Sequence, residues 1–207
     1  MKIVKPSHEI MTPIDGEKIL KHIEQCGRVC YKSEHKVDET SYLTFAKNIV
    51  KRGHEAVIEH FSISVKFTCD RGVSHEIVRH RLASYCQEST RYCNYSKDQF
   101  SGEITVIKPL YLDENTDGYR MWKRSCENAE TAYFDLLDYG LTPQEARAVL
   151  PNSLKTEIVM TANLREWRHF LKLRTSQAAH PQIREIAIPL LEEFKQLIPI
   201  LFDDIEV

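Results

Sequence analysis

The sequence predicts an α+β fold, in which a small antiparallel sheet packs with several helices and the C-terminal half is helical. Two observations carry this prediction. Residues 61–69 alternate between apolar and polar side chains, which is typical of a strand with one buried face. From residue 119 onward, by contrast, helix start and stop signals recur along the chain.

Two helices are predicted ahead of that strand. Residues 17–26 place apolar side chains on one side of a helix, and we expect Gly27 to end it. Residues 40–52 form a second predicted helix, which should end at Gly53. Both glycines directly follow the last residue of a helical pattern, where helices commonly end.

The predicted strand is followed by shorter elements. A short helix is expected from about Arg71 to His80, and residues 104–107 are a second strand candidate. The apolar face of the strand over residues 61–69 should pack into the core. Its members are Phe61, Ile63, Val65, Phe67 and Cys69.

The C-terminal half carries clear helix boundaries. A long helix over residues 119–139 should end at Gly140. The next helix is expected to begin at Thr142-Pro143-Gln144-Glu145, where Thr is the N-cap and Glu completes a capping box. Asn163 is predicted to cap another helix, and a last helix follows Pro181.

Composition limits the classes of function. We predict a single domain over residues 1–207, because no repeat, linker or composition shift interrupts the chain. The formal net charge of −2 disfavours a protein that coats nucleic acid. No apolar run reaches membrane-spanning length and no signal peptide is recognisable, so a cytoplasmic location is expected. The six cysteines form no Cys-x-x-Cys pair, and no Gly-x-Gly-x-x-Gly or Walker A sequence occurs.

Residues 79–92 carry the pattern with the most chemistry. Arg79, His80 and Arg81 are consecutive, so their side chains must diverge and reach different groups. A polar segment with Ser89 and Thr90 follows, and Arg91 closes it. Guanidinium groups suit phosphate and carboxylate, and short hydroxyl donors suit a phosphate or a pyrimidine edge. The segment therefore predicts an anion-binding loop, with a solvated basic turn paired to nearby acids as the structural alternative.

The spacing of this segment resembles a known family. Arg79-His80-Arg81, seven further residues and Ser89 match the signature of the flavin-dependent thymidylate synthases, and Ser89-Thr90-Arg91-Tyr92 resembles its continuation. Three further blocks in family order extend the resemblance over roughly residues 28–190. They are Gly53-His54-Glu55 with Glu59-His60, Ala146-Arg147 with Val149-Leu150-Pro151, and Asn163-x-Arg165 with Phe170-Leu171-x-Leu173-Arg174.

The resemblance implies a reaction and an assembly. Members of the family are homotetramers with shared active sites, and they transfer a methylene from methylenetetrahydrofolate to dUMP through FAD, with NADPH as reductant. It implies dUMP contacts for Glu76, Arg79, Gln87, Glu88, Ser89, Thr90, Arg91, Arg147 and Arg174. It implies FAD contacts for Arg79, His80, Arg81, Gln87, Asn163, Arg165 and His169, with His54 on the folate or reductant side of the flavin.

Arg174 stands out on the helical pattern itself. Trp167, Leu171 and position 174 are spaced as the apolar stripe of one helix, so an arginine occupies a position expected to be in the core. In a purely structural interpretation, Arg174 is a cation that the macrodipole favours near the C-terminus of the helix. The resemblance implies instead a catalytic arginine that faces the pyrimidine and stabilises its developing negative charge.

Other interpretations of the same residues remain open. The mixture of arginine and tyrosine between residues 79 and 95 is also compatible with a single-stranded nucleic-acid-binding module. Ser89 with His80 as base would be a hydrolase pair, although no Gly-x-Ser-x-Gly elbow surrounds the serine. The scattered histidines lack a spacing typical of zinc, so no metal is predicted.

Overall fold

Helices and short strands alternate through the computed structural model, which describes residues 1–97 and 100–207. The strands are β1 (Lys2–Val4), β2 (Ser7–Ile10), β3 (Ser62–Asp70), β4 (Ala83–Gln87), β5 (Thr105–Ile107) and β6 (Lys155–Asn163). The helices are α1 (Gly16–Val29), α2 (Ser41–Arg52), α3 (Arg71–Ile77), α4 (Asp117–Asp138), α5 (Pro143–Ala146), α6 (Leu164–Arg174), α7 (Pro181–Leu197) and α8 (Pro199–Phe202). The predicted α+β class is confirmed.

The strands form two sheets. A four-stranded antiparallel sheet has the order β2-β3-β6-β4. Strand β1 pairs with β5 in parallel, with Lys2 opposite Thr105 and Val4 opposite Ile107. The antiparallel prediction is therefore confirmed for the larger sheet, and the parallel pair is an addition to it.

The alternation predicted for β3 is observed as burial. Ile63, Val65, Phe67 and Cys69 are all buried, whereas Ser64 on the opposite face is half-buried. Strand β6, which the sequence analysis did not predict, follows the same rule: its buried residues are Thr156, Ile158, Met160 and Ala162.

The chain divides into two compact units. The first unit comprises Met1–Ser7, Phe67–Arg79 and Tyr85–Val159, and the second comprises His8–Lys66, His80–Ser84 and Met160–Val207. Strands β3 and β6 each begin in one unit and end in the other along the chain. The single domain over residues 1–207 stays a prediction.

The first unit has an apolar core around α4. The predicted capping box ahead of α5 is present, because the Thr142 N–H donates to Glu145 Oε2 at 2.8 Å. The core comprises Tyr95, Ile104, Val106, Cys126, Tyr133, Ala146 and Leu154.

In the second unit, one glycine does not act as predicted. Helix α1 continues through Gly27 to Val29, so the prediction that Gly27 ends the helix is wrong. A Cβ at Gly27 would lie 2.4 Å from the Phe45 ring and 2.9 Å from Val57 Cγ1. Gly27 therefore permits close packing rather than termination, whereas Gly53, at φ 68°, ends α2 as predicted.

The six cysteines are all free thiols. Cys30 and Cys86 are exposed, and Cys26 and Cys93 are half-buried. Burial raises the pKa of the Cys69 thiol to about 12.

Over residues 1–97 and 100–207, none of the helices combines the length and the apolar character that crossing a membrane requires.

Candidate functional site

Helix α6 begins where β6 ends, and Asn163 caps it. The Asn163 side chain accepts a hydrogen bond from the Glu166 backbone N–H at 2.9 Å, which confirms the predicted N-cap. The cap places Glu166 in the first turn, where the helix macrodipole favours a carboxylate. Glu166 is nevertheless buried, with only 7% of its surface exposed.

His80 packs against the same helix and is 4% exposed. Its Nδ1 lies 3.1 Å from Glu166 Oε1, and Arg174 Nε donates to its Nε2 at 3.1 Å. The Phe170 ring meets the His80 ring edge-on, with 4.9 Å between centroids. Glu166, Phe170 and Arg174 are four residues apart in turn, so one face of α6 surrounds the imidazole.

Electrostatics favour a neutral His80. Burial lowers the pKa of the His80 imidazole, and the positive charge of Arg174 acts in the same direction, while the Glu166 carboxylate opposes both. A neutral ring keeps one nitrogen as an acceptor, which is what the hydrogen bond from Arg174 requires.

The apolar stripe predicted for α6 is present. Trp167 and Leu171 are fully buried, and Arg174, at the next position of the stripe, is half-buried. The stripe is thus confirmed at Trp167 and Leu171, whereas Arg174 lies at the edge of the core rather than inside it, and its contact with a pyrimidine stays a prediction.

A cavity of about 460 Å³ opens beside α6 in the second unit. It brings together three residues predicted to bind FAD: Asn163, Arg165 and His169. Its complete lining is Glu55, Glu59, Leu82, Asn163, Arg165, Glu166, Arg168, His169 and Lys172. His54 lines a different cavity of the same unit, of about 490 Å³.

The cations around the first of these cavities are paired with acids. Arg165 Nη1 donates to Glu59 Oε1 at 2.6 Å, and this contact raises the pKa of the Arg165 guanidinium. Lys172 Nζ lies 4.0 Å from Glu55 Oε1. A phosphate that binds the Arg165 Nη1 must therefore displace Glu59 from that nitrogen.

Arg168 was missed by the sequence analysis. It is 2% exposed, and its guanidinium donates to Asp204 Oδ2 at 2.7 Å, to Glu55 Oε1 at 3.0 Å and to the Leu201 carbonyl. Its burial could have been predicted, because position 168 lies on the same helix face as the apolar residues Leu164 and Leu171. A buried charge on that face needs acidic partners, and the exposed Asp204 and the half-buried Glu55 supply two.

The dUMP loop that the resemblance implies, from Gln87 to Arg91, lies in the first unit, and its first residue is the last residue of strand β4. Gln87 Nε2 donates to Ser74 Oγ at 2.9 Å and to Thr156 Oγ1 at 3.2 Å. The Glu88 backbone N–H donates to the Glu157 carbonyl at 2.8 Å. The polar loop thus begins only after Gln87, because the preceding residues belong to the sheet.

The end of this segment holds both polar anchors and exposed groups. Lys155 Nζ donates to Glu88 Oε2 at 2.9 Å, which fixes the carboxylate. Ser89 Oγ accepts from the Arg91 N–H at 3.3 Å, and the Arg91 guanidinium lies 5.3 Å from the Tyr92 ring centroid. Arg91 is exposed and so is available to a ligand.

A cavity of about 260 Å³ in the first unit is lined by two other residues predicted to contact dUMP, Thr90 and Arg147. Arg147 Nη1 donates to Thr90 Oγ1 at 3.2 Å at its wall. Arg71, which was not predicted, also lines it, and its guanidinium donates to the Glu88 carbonyl at 3.3 Å. Two arginines at one small cavity suit an anionic group.

The predicted site residues divide between the units. The first unit contains Glu76, Arg79, Gln87, Glu88, Ser89, Thr90, Arg91 and Arg147. The second unit contains His54, His80, Arg81, Asn163, Arg165, His169 and Arg174. The predicted dUMP residues thus fall mainly in the first unit and the predicted FAD residues mainly in the second.

One cluster in the described parts of the chain has the geometry of a metal site. The ligand atoms of His80, Glu166 and His169 lie within 4.8 Å of one another. However, Arg174 Nε donates to one ring nitrogen of His80, and the other contacts Glu166. A fixed guanidinium at this distance disfavours a cation at the same nitrogen.

The comparisons with known proteins agree on one family. The model of the family described as thymidylate synthase complementing protein, Thy1, matches residues 15–200. The flavin-dependent thymidylate synthase of Mycolicibacterium gilvum is 33% identical, over 98% of this chain and 85% of that protein. The enzyme of the same name from Pyrococcus furiosus is 34% identical, over 83% of this chain and 70% of that protein.

A solved structure shares the fold. The UMP/dUMP methylase PolB from Streptomyces cacaoi, bound with 5-Br dUMP, aligns with a TM-score of 0.78 and 24% identity. The alignment covers 98% of this chain and 96% of PolB. From the match over residues 15–200 and the relatives that align along most of both chains, we conclude that this chain belongs to the Thy1 family.

Proposed function

We propose that this protein is a flavin-dependent thymidylate synthase that methylates dUMP to dTMP. In the proposed reaction FAD is the flavin, methylenetetrahydrofolate the carbon donor and NADPH the reductant. The observation that carries the proposal is the match to the Thy1 family over residues 15–200, with relatives named for this activity. The signature from Arg79 to Ser89 lies within the matched range.

The donor set of the second unit fits a flavin dinucleotide. The cavity beside α6 offers the Asn163 amide, the Arg165 guanidinium and the His169 imidazole, which together suit a pyrophosphate and polar ring edges. When bound, the flavin supplies the redox and carbon-carrier chemistry. Arg165 would hold it after exchanging Glu59 for an anionic oxygen of the ligand.

The first unit fits the nucleotide substrate. Arg147 with Thr90 at one cavity, and the exposed Arg91 after Ser89, support contacts to a phosphate and to hydroxyl or carbonyl edges. The Glu88 carboxylate is held by Lys155, and its backbone N–H is held by the Glu157 carbonyl, so this end of the loop is anchored at both groups. We assign the dUMP phosphate to Arg91 and a second dUMP contact to Arg147.

Arg174 is the residue to which we assign catalysis. Its guanidinium is half-buried, and its Nε is held by His80, so a fixed cation is available without reorganisation. Stabilisation of developing negative charge by such a preorganised cation lowers a reaction barrier. In this proposal Arg174 faces the pyrimidine as the base acquires negative charge.

The other interpretations gain no support. A hydrolase pair of Ser89 and His80 would need a free nitrogen on the imidazole, but both nitrogens contact Glu166 or Arg174. None of the matched proteins described above is named as a nucleic-acid-binding protein.

We further propose a cytoplasmic homotetramer with shared active sites. Six free thiols, two of them exposed, support a reducing compartment. Exposed predicted ligand residues such as Arg81 and Arg91 support a site that is completed by a second subunit. Light scattering after gel filtration should give four times the chain mass of 24.1 kDa, and a monomer mass would contradict the shared site.

The experiment that tests the function starts with colour. The purified protein should be yellow, and denaturation should release FAD, identified by mass, into the supernatant. With dUMP, methylenetetrahydrofolate and NADPH it should form dTMP, and omission of any one should abolish the product. A protein that takes up no flavin on reconstitution with excess FAD would overturn the proposal.

A further inference from the structure

We propose that Glu166 is a positioning residue, whose carboxylate holds the proton of His80 on Nδ1 so that Nε2 receives and orients Arg174. The inference rests on the proposed function, since Arg174 is the residue assigned to catalysis. The three groups are joined by two consecutive contacts through the imidazole, each of 3.1 Å.

The direction of each hydrogen bond follows from donor chemistry. A guanidinium has only donors, so at the Arg174 contact His80 Nε2 must be the acceptor. In a neutral imidazole the other nitrogen then carries the proton. His80 Nδ1 therefore donates to Glu166 Oε1, and only this tautomer satisfies both contacts.

Glu166 is suited to act as a charged acceptor although it is buried. It occupies the first turn of α6, where the unpaired N–H groups of the helix favour negative charge. Its own backbone N–H is capped by Asn163 at 2.9 Å, which fixes the start of the helix and the position of the carboxylate. The acceptor is thus held by the same backbone that carries Arg174.

Loss of the carboxylate has a defined consequence for Arg174. Without an acceptor at Nδ1, the imidazole can place its proton on Nε2, and that proton would face the Arg174 Nε–H. Two donors cannot bond, so the guanidinium would lose the contact by which His80 orients its Nε. A cation that must reorganise stabilises developing charge less well than one already in place.

The test is a double-mutant cycle on dTMP formation. Glu166→Leu should lower single-turnover dTMP formation by roughly tenfold, the effect of one lost charge-assisted hydrogen bond. In an Arg174→Ala background, Glu166→Leu should change the rate by less than about twofold, because its target is gone. Equal effects in both backgrounds would overturn the proposal.

A matched control is another buried carboxylate of the same unit. Glu24 is 1% exposed and accepts from Arg28 Nη2 at 2.6 Å and from Ser41 Oγ at 2.8 Å. If Glu166 acted only through stability, Glu24→Leu and Glu166→Leu would behave alike. We expect Glu24→Leu to have the same effect with or without Arg174.

A second measurement needs no variant that changes Glu166. In protein labelled with ¹⁵N-histidine, with the His80 signals assigned by their loss in His80→Asn, Nδ1 should be protonated and Nε2 unprotonated at neutral pH. Protonation of Nε2 would overturn the proposal, even if Glu166→Leu fails to fold. Absence of any dTMP from the unsubstituted protein would instead contradict the proposed function, and the NMR result would still stand.

Discussion

Arg174 holds a full positive charge on a helix face that otherwise packs into the core. If it stabilises charge that develops on the pyrimidine, its interaction is stronger in the transition state than in the ground state. We therefore expect Arg174→Ala to lower turnover more than it weakens dUMP binding. Arg174→Lys should remain impaired, because lysine keeps the charge but loses the planar fork and the Nε–H that His80 receives.

Stopped-flow spectroscopy with the two half-reactions followed separately checks this expectation. Reduction of the flavin by NADPH should survive in both Arg174 variants, because it does not involve the pyrimidine. If Arg174→Ala reoxidises its flavin with dUMP and folate at the unsubstituted rate, Arg174 is only a helix-end cation.

Arg91 is the second residue with a separable effect. It is exposed, and a charge-assisted contact to phosphate is worth roughly 1.5–3 kcal/mol. Arg91→Ala should therefore weaken dUMP binding by about tenfold or more, measured by titration, while FAD stays bound. Arg120, an exposed arginine paired with Asp117, offers a matched control, and Arg120→Ala should leave dUMP affinity unchanged.

The cysteines near the dUMP loop are expected to be dispensable. Burial raises the pKa of the Cys93 thiol, and Glu88 adds to the shift, so a reactive thiolate is disfavoured there. Changing both Cys86 and Cys93 to Ser should leave dTMP formation detectable. Complete loss, with the fold intact and both ligands bound, would count against a flavin-centred mechanism.

At the scale of elements, Gly27 in α1 makes a prediction about stability. An added Cβ would meet the Phe45 ring at 2.4 Å, and a well-packed neighbour must then shift. Gly27→Ala should lower the free energy of unfolding by about 1–3 kcal/mol, in spite of the better helix propensity of alanine. Denaturant unfolding measures this change.

Gly118 in α4 is the matched control for Gly27. A Cβ added at Gly118 would lie 3.8 Å from its nearest neighbouring atom, so Gly118→Ala meets no obstacle. This variant should be neutral or slightly stabilising. If both variants changed stability equally, the packing explanation for Gly27 would be incorrect.

How far elements could be predicted from sequence depended on what fixes each one. Strand β3 was predictable because its alternation is complete, and the caps at Thr142 and Asn163 are local signals. Strand β6 alternates less clearly, because Thr156 takes an inward position. The role of Gly27 was not predictable, because it depends on Phe45, which reaches it through tertiary packing.

The same distinction applies to the candidate site. The segment from Arg79 to Arg91 was recognisable because its residues are close in sequence. Glu166 was missed because its meaning depends on His80, 86 residues away. Arg71 was missed for a similar reason, since only the fold brings its guanidinium to the carbonyl of Glu88.

For the whole molecule, the ion pair between Arg168 and Asp204 links stability to pH. Hydrogen bonds from Arg168 hold the pKa of the Asp204 carboxyl below its usual range. A carboxyl with a lowered folded pKa stabilises the protein above its unfolded pKa of about 3.9, and this contribution disappears as pH falls through the folded value. Asp204→Asn should therefore lower stability at pH 7 and much less at the acid end.

The urea midpoints of the unsubstituted protein and of Asp204→Asn, measured at neutral and acid pH, test this link between stability and pH. The difference between them should shrink as the pH falls from about 5 toward the folded pKa of Asp204. A difference that stays constant across that range would show that Asp204 contributes by packing rather than by charge.

The thiols described with the fold also give this protein a built-in attachment point for a reporter. Cys30 and Cys86 are exposed, and Cys86 stands on β4, one residue before Gln87. After Cys30→Ser, a short maleimide reaction should place a fluorophore mainly on Cys86, because exposed thiols react before buried ones. Such a dye would sit at the edge of the proposed dUMP loop and could follow the arrival of nucleotide in real time, without a coupled assay.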